Sequence, residues 1–436
     1  MKYIFSLLRF GSLLWLLALV ASCGGGGGGG GGKGSVPAIS NLSVSPSAAY
    51  VSSGSINFTS TLNFTDSDGN LATLTLTILD GMGATTSVQN LSLASATGMT
   101  AGILQGDVTA VGVAADTYTV QIYVTDAAGQ RSNTLSSPVR IAEFPWTSKS
   151  TINYTSREYA ASVTYGGKVY VMGGQLIGGG TQPATAVMEI YDPVTNTWTS
   201  GPSMPTARMG LVAAVANGKI YAIGGRTDGF STSAVATVEE FNPATNAWTT
   251  RFPMSVPRYF SGGATLPTAL GDHIVVVGGE SLTNVLDTVE EYNPVANSWV
   301  TRNPLPVPRG QLALAESGGH LFAVGGHAGL IPQWVATVEE FDPGGIVQWT
   351  TRPSMPTARS HIALATVNGK LFAAGGSNVN PSLNVLESYD PVTNTWTSKT
   401  PNTSAFTRAT ASVVNGKMYV FGDGLALEYN PANDIR

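Results

Sequence analysis

Six near-copies of one nine-residue segment constrain this chain more than any other feature. It reads NGKIYAIGG at 217–225, NGKLFAAGG at 368–376 and NGKMYVFGD at 415–423. Looser copies are GGKVYVMGG at 166–174, GDHIVVVGG at 271–279 and GGHLFAVGG at 318–326. In each, a tight turn opens a short β-branched and aromatic run that a glycine pair or Gly-Asp ends. Asn-Gly between apolar runs signals a hairpin, because both turn residues need positive φ. The copies recur every 47 to 54 residues. A period of that size marks an array of similar units, each burying its apolar face by stacking on its neighbours.

Each copy sits in a longer unit. Upstream lies an arginine: Arg157, Arg208, Arg258, Arg309, Arg359 and Arg408. Downstream comes an aromatic before Asp/Asn-Pro, namely Tyr191, Phe241, Tyr292, Phe341, Tyr389 and Tyr429, and then a tryptophan at 198, 248, 299, 349 and 396. This order resembles the kelch repeat, over about 290 residues from Trp146 onward. The resemblance implies an all-β fold in which each unit is one four-stranded propeller blade. Its first strand follows the arginine, the second ends in Gly-Gly, the third carries the aromatic and the fourth the tryptophan.

The chain ends on a third strand around Tyr429 with no tryptophan after it, and Trp146 begins a fourth strand with no unit before it. The two fragments complete one another, giving a six-bladed kelch β-propeller over 146–436 closed by the strand at Trp146. Joining them removes two open sheet edges. The glutamate two residues before the aromatic repeats at Glu189, Glu239, Glu290, Glu339 and Glu387, on the aromatic's own face. Six arginines and five glutamates in register imply internal pairing, since buried charges must be paired. An anion site built by these arginines is the competing reading. The aromatics and tryptophans are expected to supply most of the core between blades. The sixth unit departs from the pattern: Arg408 lies seven residues before Asn415 against nine in most units, Glu428 is one position out of phase, and Asp423 replaces the second glycine. The third unit has a longer first hairpin, YFSGGATLPTALGDH.

The start of the chain reads as an export signal. Lys2 and Arg9 precede an apolar run from Leu13 to Ala21, too short to span a bilayer. It ends Val20-Ala21-Ser22-Cys23, which resembles a bacterial lipoprotein cleavage box. That resemblance implies a signal peptide at 1–22 and a lipid-modified N-terminal Cys23, an anchor to the membrane. The alternative is an incidental thiol near an ordinary cleavage site. Cys23 is the only cysteine, so no internal disulfide is possible. Residues 24–32 are all glycine, and 23–35 form a tether reaching roughly 15–20 Å. Gly24 is not the aspartate associated with inner-membrane retention, which points to the outer membrane, on its periplasmic side or at the cell surface.

Residues 36–143 show alternating stretches parted by turn signals at Asp68-Gly69, Asp80-Gly81 and Ala128-Gly129, as a small β-sandwich requires. The ending YVTDAAGQRSN resembles bacterial immunoglobulin-like or fibronectin-like modules. Asp66-Ser67-Asp68-Gly69-Asn70 looks like half of a calcium loop, but its glycine is fourth and position twelve is Thr77. A plain hairpin turn explains it, and calcium near Asp66 and Asp68 stays open. No other cofactor is expected. The link to Trp146, Glu143-Phe144-Pro145, is short enough to restrict the two domains' orientation.

With structure absorbed by the repeat, function falls to what differs between copies. Kelch propellers of known type often meet ligands where residues directly after the arginine and after the glycine pair share a face. The first set is Glu158, Met209, Tyr259, Gly310, Ser360 and Ala409, with His361 one further on. The second is Gln175, Arg226, Glu280, His327 and Ser377, with Asp423 or Gly424 in the last unit. Three variable loops (175–185, 226–237 and 327–334) add polar reach and an exposed Trp334. The mixture suits neutral polar ligands, such as sugars or peptide loops; ordinary solvated loop residues are the alternative. Arg226 and Glu280 belong to adjacent units and are the pair to watch.

Three functions fit: a lipid-anchored module holding a glycan, peptide or protein; a carbohydrate-active enzyme resembling the six-bladed sialic-acid mutarotases; or a structural part of an envelope assembly. A galactose-oxidase-type copper site is excluded, because its tyrosine crosslink needs a cysteine that the propeller lacks. The four histidines show no metal-ligand spacing. Charged residues make up only 11% and the net charge is −5, so no nucleic-acid partner is expected.

Overall fold

The computed structural model describes residues 14–23, 34–51, 55–151, 153–178, 183–227, 234–329 and 333–436, with the backbone alone at 14–23, Ser55 and Ser95. The Cys23 side chain, the glycine tether at 24–32 and the start of the export signal lie outside the described residues. The chain divides into two units between Phe144 and Pro145.

The first unit has two sheets around one apolar core. One sheet orders Leu14–Cys23, Ala101–Val111, Ser55–Thr65 and Ala38–Ser45; the other orders Ala48–Tyr50, Leu135–Ala142, Asp116–Asp126, Leu71–Leu79 and Thr85–Ser92. Period-two alternation drives this: Tyr118, Val120, Ile122 and Val124 face inward against Phe58, Leu62, Leu104 and Val108. The apolar segment read as an export signal runs antiparallel along 101–111, from Leu14 opposite Val111 to Cys23 opposite Gly102. It thereby pairs backbone groups of an edge that would otherwise be open.

The second unit is all-β and propeller-like, with six four-stranded antiparallel sheets among the described residues. The second of these shows the common plan. Val212–Ala216 hairpins onto Lys219–Ile223, which pairs with Val238–Asn242 and then Ala247–Arg251. The third sheet has longer inner strands, Gly262–Thr268 and Gly271–Val277, as its longer hairpin requires. First strands of successive sheets adjoin, and Thr410–Val414 returns to Ala161–Tyr165, where the Ser162 hydroxyl lies 2.8 Å from those of Thr410 and Ser412.

The last sheet is completed from the other end of the unit. Trp146–Ser148 pairs antiparallel with Leu425–Tyr429, placing Trp146 opposite Tyr429. Tyr191 and Trp198, Phe241 and Trp248, Tyr292 and Trp299 stand in the same opposition. The indole of Trp146 donates to the Thr400 carbonyl at 2.8 Å, as Trp198 does to Ser150 and Trp248 to Pro202. The tryptophans contribute less core than expected. Trp146, Trp198 and Trp349 are buried, but Trp248, Trp299 and Trp396 are half-buried caps over the third-strand aromatics. Between the second and third sheets most of the core comes from first and second strands, with Val212 and Ile223 packing with Ile274 and Val276.

Internal pairing of the repeated charges holds in five sheets. Arg157–Glu189, Arg208–Glu239, Arg258–Glu290, Arg309–Glu339 and Arg359–Glu387 are ion pairs with fully buried guanidinium groups. Arg208 also donates to the carbonyls of Ala222, Gly224 and Thr237, knitting strands together. The arginines are thus structural, and the anion-site reading of the repeat fails for these five.

The sixth sheet corrects the alignment. Glycine N–H groups at 225, 279 and 326 donate to the carbonyls of Arg258, Arg309 and Arg359; Gly376 donates instead to Phe406. Phe406, nine residues before Asn415, therefore holds the repeat-arginine place, and Leu427 holds the glutamate place; both are buried. An apolar pair substitutes for an ion pair, a replacement that protein interiors accept. Glu428 is in phase with Glu240, Glu291 and Glu340, and is held by Lys149, Lys417 and Tyr419. Arg408 is released for another position.

Candidate functional site

That position lies two residues past each repeat arginine, where Tyr159, Gly210, Phe260, Gln311, His361 and Arg408 all have φ between 52° and 61°. The left-handed backbone turns five of these N–H groups toward the preceding sheet. Tyr159 donates to Arg408, Gly210 to Tyr159, Phe260 to Gly210, Gln311 to Phe260 and His361 to Gln311, at 2.8–3.1 Å. These six residues also line a central cavity of about 210 Å³ whose walls are the first strands of the sheets. Gly210 is needed here: a Cβ would stand 2.6 Å from the Phe260 ring. The Tyr159, Phe260 and His361 rings pack together with centroids 4.9 to 5.4 Å apart.

Around this ring, the two residue sets named from sequence meet in backbone bridges. Glu158 faces Gln175, Met209 faces Arg226, Tyr259 faces Glu280, Gly310 faces His327, and Ser360 faces Ser377. The second glycine of each pair makes this possible, since at Gly225 a Cβ would lie 2.9 Å from the Met209 carbonyl. Asp423 does not join them: it is exposed, has φ 51° and donates its N–H to the Arg157 carbonyl, as the second glycines do. Gln175 and Ser360 are buried. Trp334, expected to be exposed, is half-buried and pairs with His327. The central parts of the three variable loops lie outside the described residues.

Arg226 and Glu280 converge on Tyr259. The guanidinium lies 5.1 Å from the Tyr259 ring and 5.6 Å from that of Phe260. Burial raises the Tyr259 hydroxyl above its usual pKa, the Glu280 carboxylate adds to this, and Arg226 offsets it. Glu280 Oε1 accepts from Gln311 Nε2 at 3.0 Å and meets His327 Nε2 at 3.0 Å. Room for this carboxylate comes from Gly310, where a Cβ would fall 2.6 Å from Glu280 Cγ.

His327 Nδ1 faces the Gly329 carbonyl at 3.1 Å. Both ring nitrogens thus face oxygens, and Glu280 lies within hydrogen-bond reach of the imidazole. Such a pair can deliver and recover a proton. His361 is held neutral: burial, then Arg408 and His327, lower its pKa to about 3. Its Nε2 is buried without a hydrogen-bond partner. Arg408 pairs with Glu158 at 2.9 Å and lies over the Tyr159 ring at 5.2 Å.

Sequence reasoning missed Tyr159, Phe260, Gln311 and the placement of Arg408. The signal was the two-residue shift of Arg408, which registers it with His361 rather than with Arg359. Among the described residues, no group of His, Cys, Asp or Glu forms a metal cluster.

Residues 148–326 match the family pattern described as the KLHDC2/KLHL20/DRC7 Kelch-repeats domain, and 308–356 and 358–403 each match the Kelch motif. Kelch-like protein terF of Aspergillus terreus is 28% identical over 183 residues, 40% of each chain. Beta-scruin of Limulus polyphemus is 32% identical over 163 residues, covering 35% of this chain and 17% of that protein. Kelch domain-containing protein 8B of Homo sapiens is 28% identical over 157 residues, 34% of this chain and 44% of that one. The chain therefore spans less than half the length of these curated relatives. A solved structure described as "Structure of YjhT" covers 64% of this chain and 94% of its own at 14% identity, with a TM-score of 0.49. The family patterns, in phase with the arginine, glycine-pair and tryptophan periods, show that residues 148–403 of this chain are kelch repeats.

Proposed function

We propose that this protein is a lipid-anchored binding module of the bacterial cell envelope, built as a small immunoglobulin-like β-sandwich followed in the chain by a six-bladed propeller. Its ligand sits at the mouth formed by Arg226, Tyr259, Glu280 and the axial ring. Kelch domains generally bind protein partners, and a glycan or peptide loop suits this mouth equally. One observation carries the reading: Arg226, Tyr259, Glu280, Gln311 and His327 come from three successive sheets yet form one connected polar cluster beside exposed Arg408. Repeat architecture does not require that cluster, because each of these positions differs from sheet to sheet. Aromatic faces at Tyr159, Tyr259 and Phe260 suit sugar rings, and two guanidinium groups suit a carboxylate.

The test is a glycan and sugar-acid screen, joined to pull-down from envelope extracts, with the Arg226→Ala, Glu280→Ala double variant alongside. Specific capture that the folded double variant loses supports the reading. Equal capture by both proteins places the ligand elsewhere and overturns it.

A second reading, a carbohydrate-active enzyme resembling the sialic-acid mutarotases, draws support from the 3.0 Å contact between His327 Nε2 and Glu280 Oε1, two side chains able to exchange a proton with a ligand. Ring opening of a reducing sugar needs one group to give a proton and one to take it. Mutarotation of a captured sugar, slowed at least a hundredfold in Glu280→Gln, would establish it. A captured sugar that equilibrates no faster than in buffer would eliminate it.

A further inference from the structure

Sheet edges in the first unit are unequal. Ala38–Ser45 is broken by a bulge between Ser40 and Ser43, Ala48–Tyr50 spans three residues, and Thr85–Ser92 is irregular where Ile78 and Leu79 face Ser87 and Thr85. Short or bulged edges resist pairing with another chain. Ala101–Val111 is different. It pairs with Ser55–Thr65 over eleven consecutive residues without a register shift, from Val111 opposite Ser55 to Ala101 opposite Thr65. It holds no proline, lysine or arginine. Its one charge, Asp107, lies on the outer face and accepts from the Thr59 hydroxyl at 2.9 Å. Along its other side runs Leu14–Cys23 alone. That segment is the one read as an export signal cleaved before Cys23, so processing uncovers a long, straight strand with one row of unpaired backbone groups.

The uncovered strand is complementary to itself. Leu104, Val108 and Ala110 face the core, while Gln105 and Asp107 are exposed on the outer face. A second copy laid antiparallel about a two-fold axis at Gly106 sets residues of one face opposite one another. Leu104 then meets the partner's Val108 on the core side, and Gln105 meets the partner's Asp107 on the outer side. The amide donates to the carboxylate, twice by symmetry, and no like charges are opposed. In the present register Gln105 and Asp107 stand opposite Val20 and Ala18, which offer neither of them a polar neighbour.

We propose that, once 1–22 is removed, two copies of the chain pair through their 101–111 edges into one continuous antiparallel sheet across a two-fold axis at Gly106. The inference rests on the cleavage reading given above. Each copy presents this edge once, so the pairing closes at two. Anchoring both copies to one membrane raises their effective concentration and favours the pair.

The test compares the processed chain 23–436, kept reduced, with the chain that retains its leader, both in the same mild detergent. At about 100 μM the processed chain should sediment as a dimer, and exchange at 101–111 should slow between dilute and concentrated protein. The chain with its leader should stay monomeric. Gln105→Asp sets carboxylates against one another at both symmetry-related pairs and should weaken the dimer at least tenfold. Adding Asp107→Lys turns each clash into an ion pair and should restore it. A monomeric processed chain overturns the proposal, as does a dimer indifferent to Gln105→Asp or one equally strong with the leader in place. Should Gln105→Asp misfold, the comparison of the two chain forms decides alone. Intact mass of the protein from envelope extracts checks the cleavage reading separately. Retention of 1–22 defeats that reading and leaves the edge covered, whereas a processed monomer defeats only the pairing.

Discussion

The sixth sheet suggests how the other five should respond to losing their buried charges. Arg258 is fully buried, and Glu290 accepts from it and from the N–H and hydroxyl of Ser255 at 2.9 and 2.6 Å. Burial already lowers the Arg258 pKa to about 10, with Glu290 opposing the shift. Glu290→Leu strands that guanidinium without its anion, and breaking a buried pair from one side costs about 3–5 kcal/mol. Arg258→Phe strands the carboxylate at a similar cost. The double variant copies the Phe406 and Leu427 arrangement and leaves no buried charge. Its main losses are the hydrogen bond from Arg258 to the Thr288 carbonyl and the two from Ser255 to Glu290, about 1 kcal/mol each, and imperfect packing of the new ring. We expect the double variant to lie about 3 kcal/mol below the parent, well short of the sum of the two single changes. Urea unfolding followed by tryptophan fluorescence reads this unit well, since seven of the eight tryptophans lie in it. A double variant as unstable as the sum of the singles would refute the reasoning, as would a Glu290→Leu cost below about 1 kcal/mol.

Trp146→Ala should lower stability by about 3 kcal/mol, read in the same urea experiment, because it removes a buried ring and the indole bond that holds the closing strand. Arg226→Ala should leave the melting temperature within a degree or two while abolishing ligand capture; a large melting loss would mark it as structural. Gly310→Ala should weaken ligand binding more than folding, since its new Cβ displaces the Glu280 carboxylate without demanding positive φ. The first unit should lose stability as pH rises from about 4 to about 6.5. Asp66 keeps its proton in the folded state up to about pH 6 but releases it near 3.8 when unfolded, so the folded state holds more protons in that window. Calorimetry between pH 4 and 7 checks the sign.

The repeat was legible because its period, its turn residues and its paired charges are local patterns that recur in register. Five Arg–Glu pairs and the opposition of Trp146 to Tyr429 followed from counting alone. Arg408 was misread because an arginine in roughly the right place was matched by identity, although its seven-residue spacing already disagreed. Phe406 carried no signal, since one apolar residue replacing a charge looks like any other. The axial ring escaped for a different reason. Its members share a backbone conformation, not a residue type, and Tyr, Gly, Phe, Gln, His and Arg at one position do not register as a repeat.

Force entering the propeller-like unit through its leading end arrives at Trp146. In the other five sheets a tight turn joins the fourth strand covalently to the third, as Asn242 to Ala247 does. Trp146–Ser148 has no such turn and is held by its backbone pairing with the third strand, the Lys149–Glu428 ion pair and one indole bond. Tension would therefore strip this strand first, and the sheet it leaves is the one that carries Arg408. If the chain is tethered at its leading end while a partner pulls at the mouth, the closing strand acts as a mechanical fuse, yielding before the five covalently joined sheets and altering the mouth as it does.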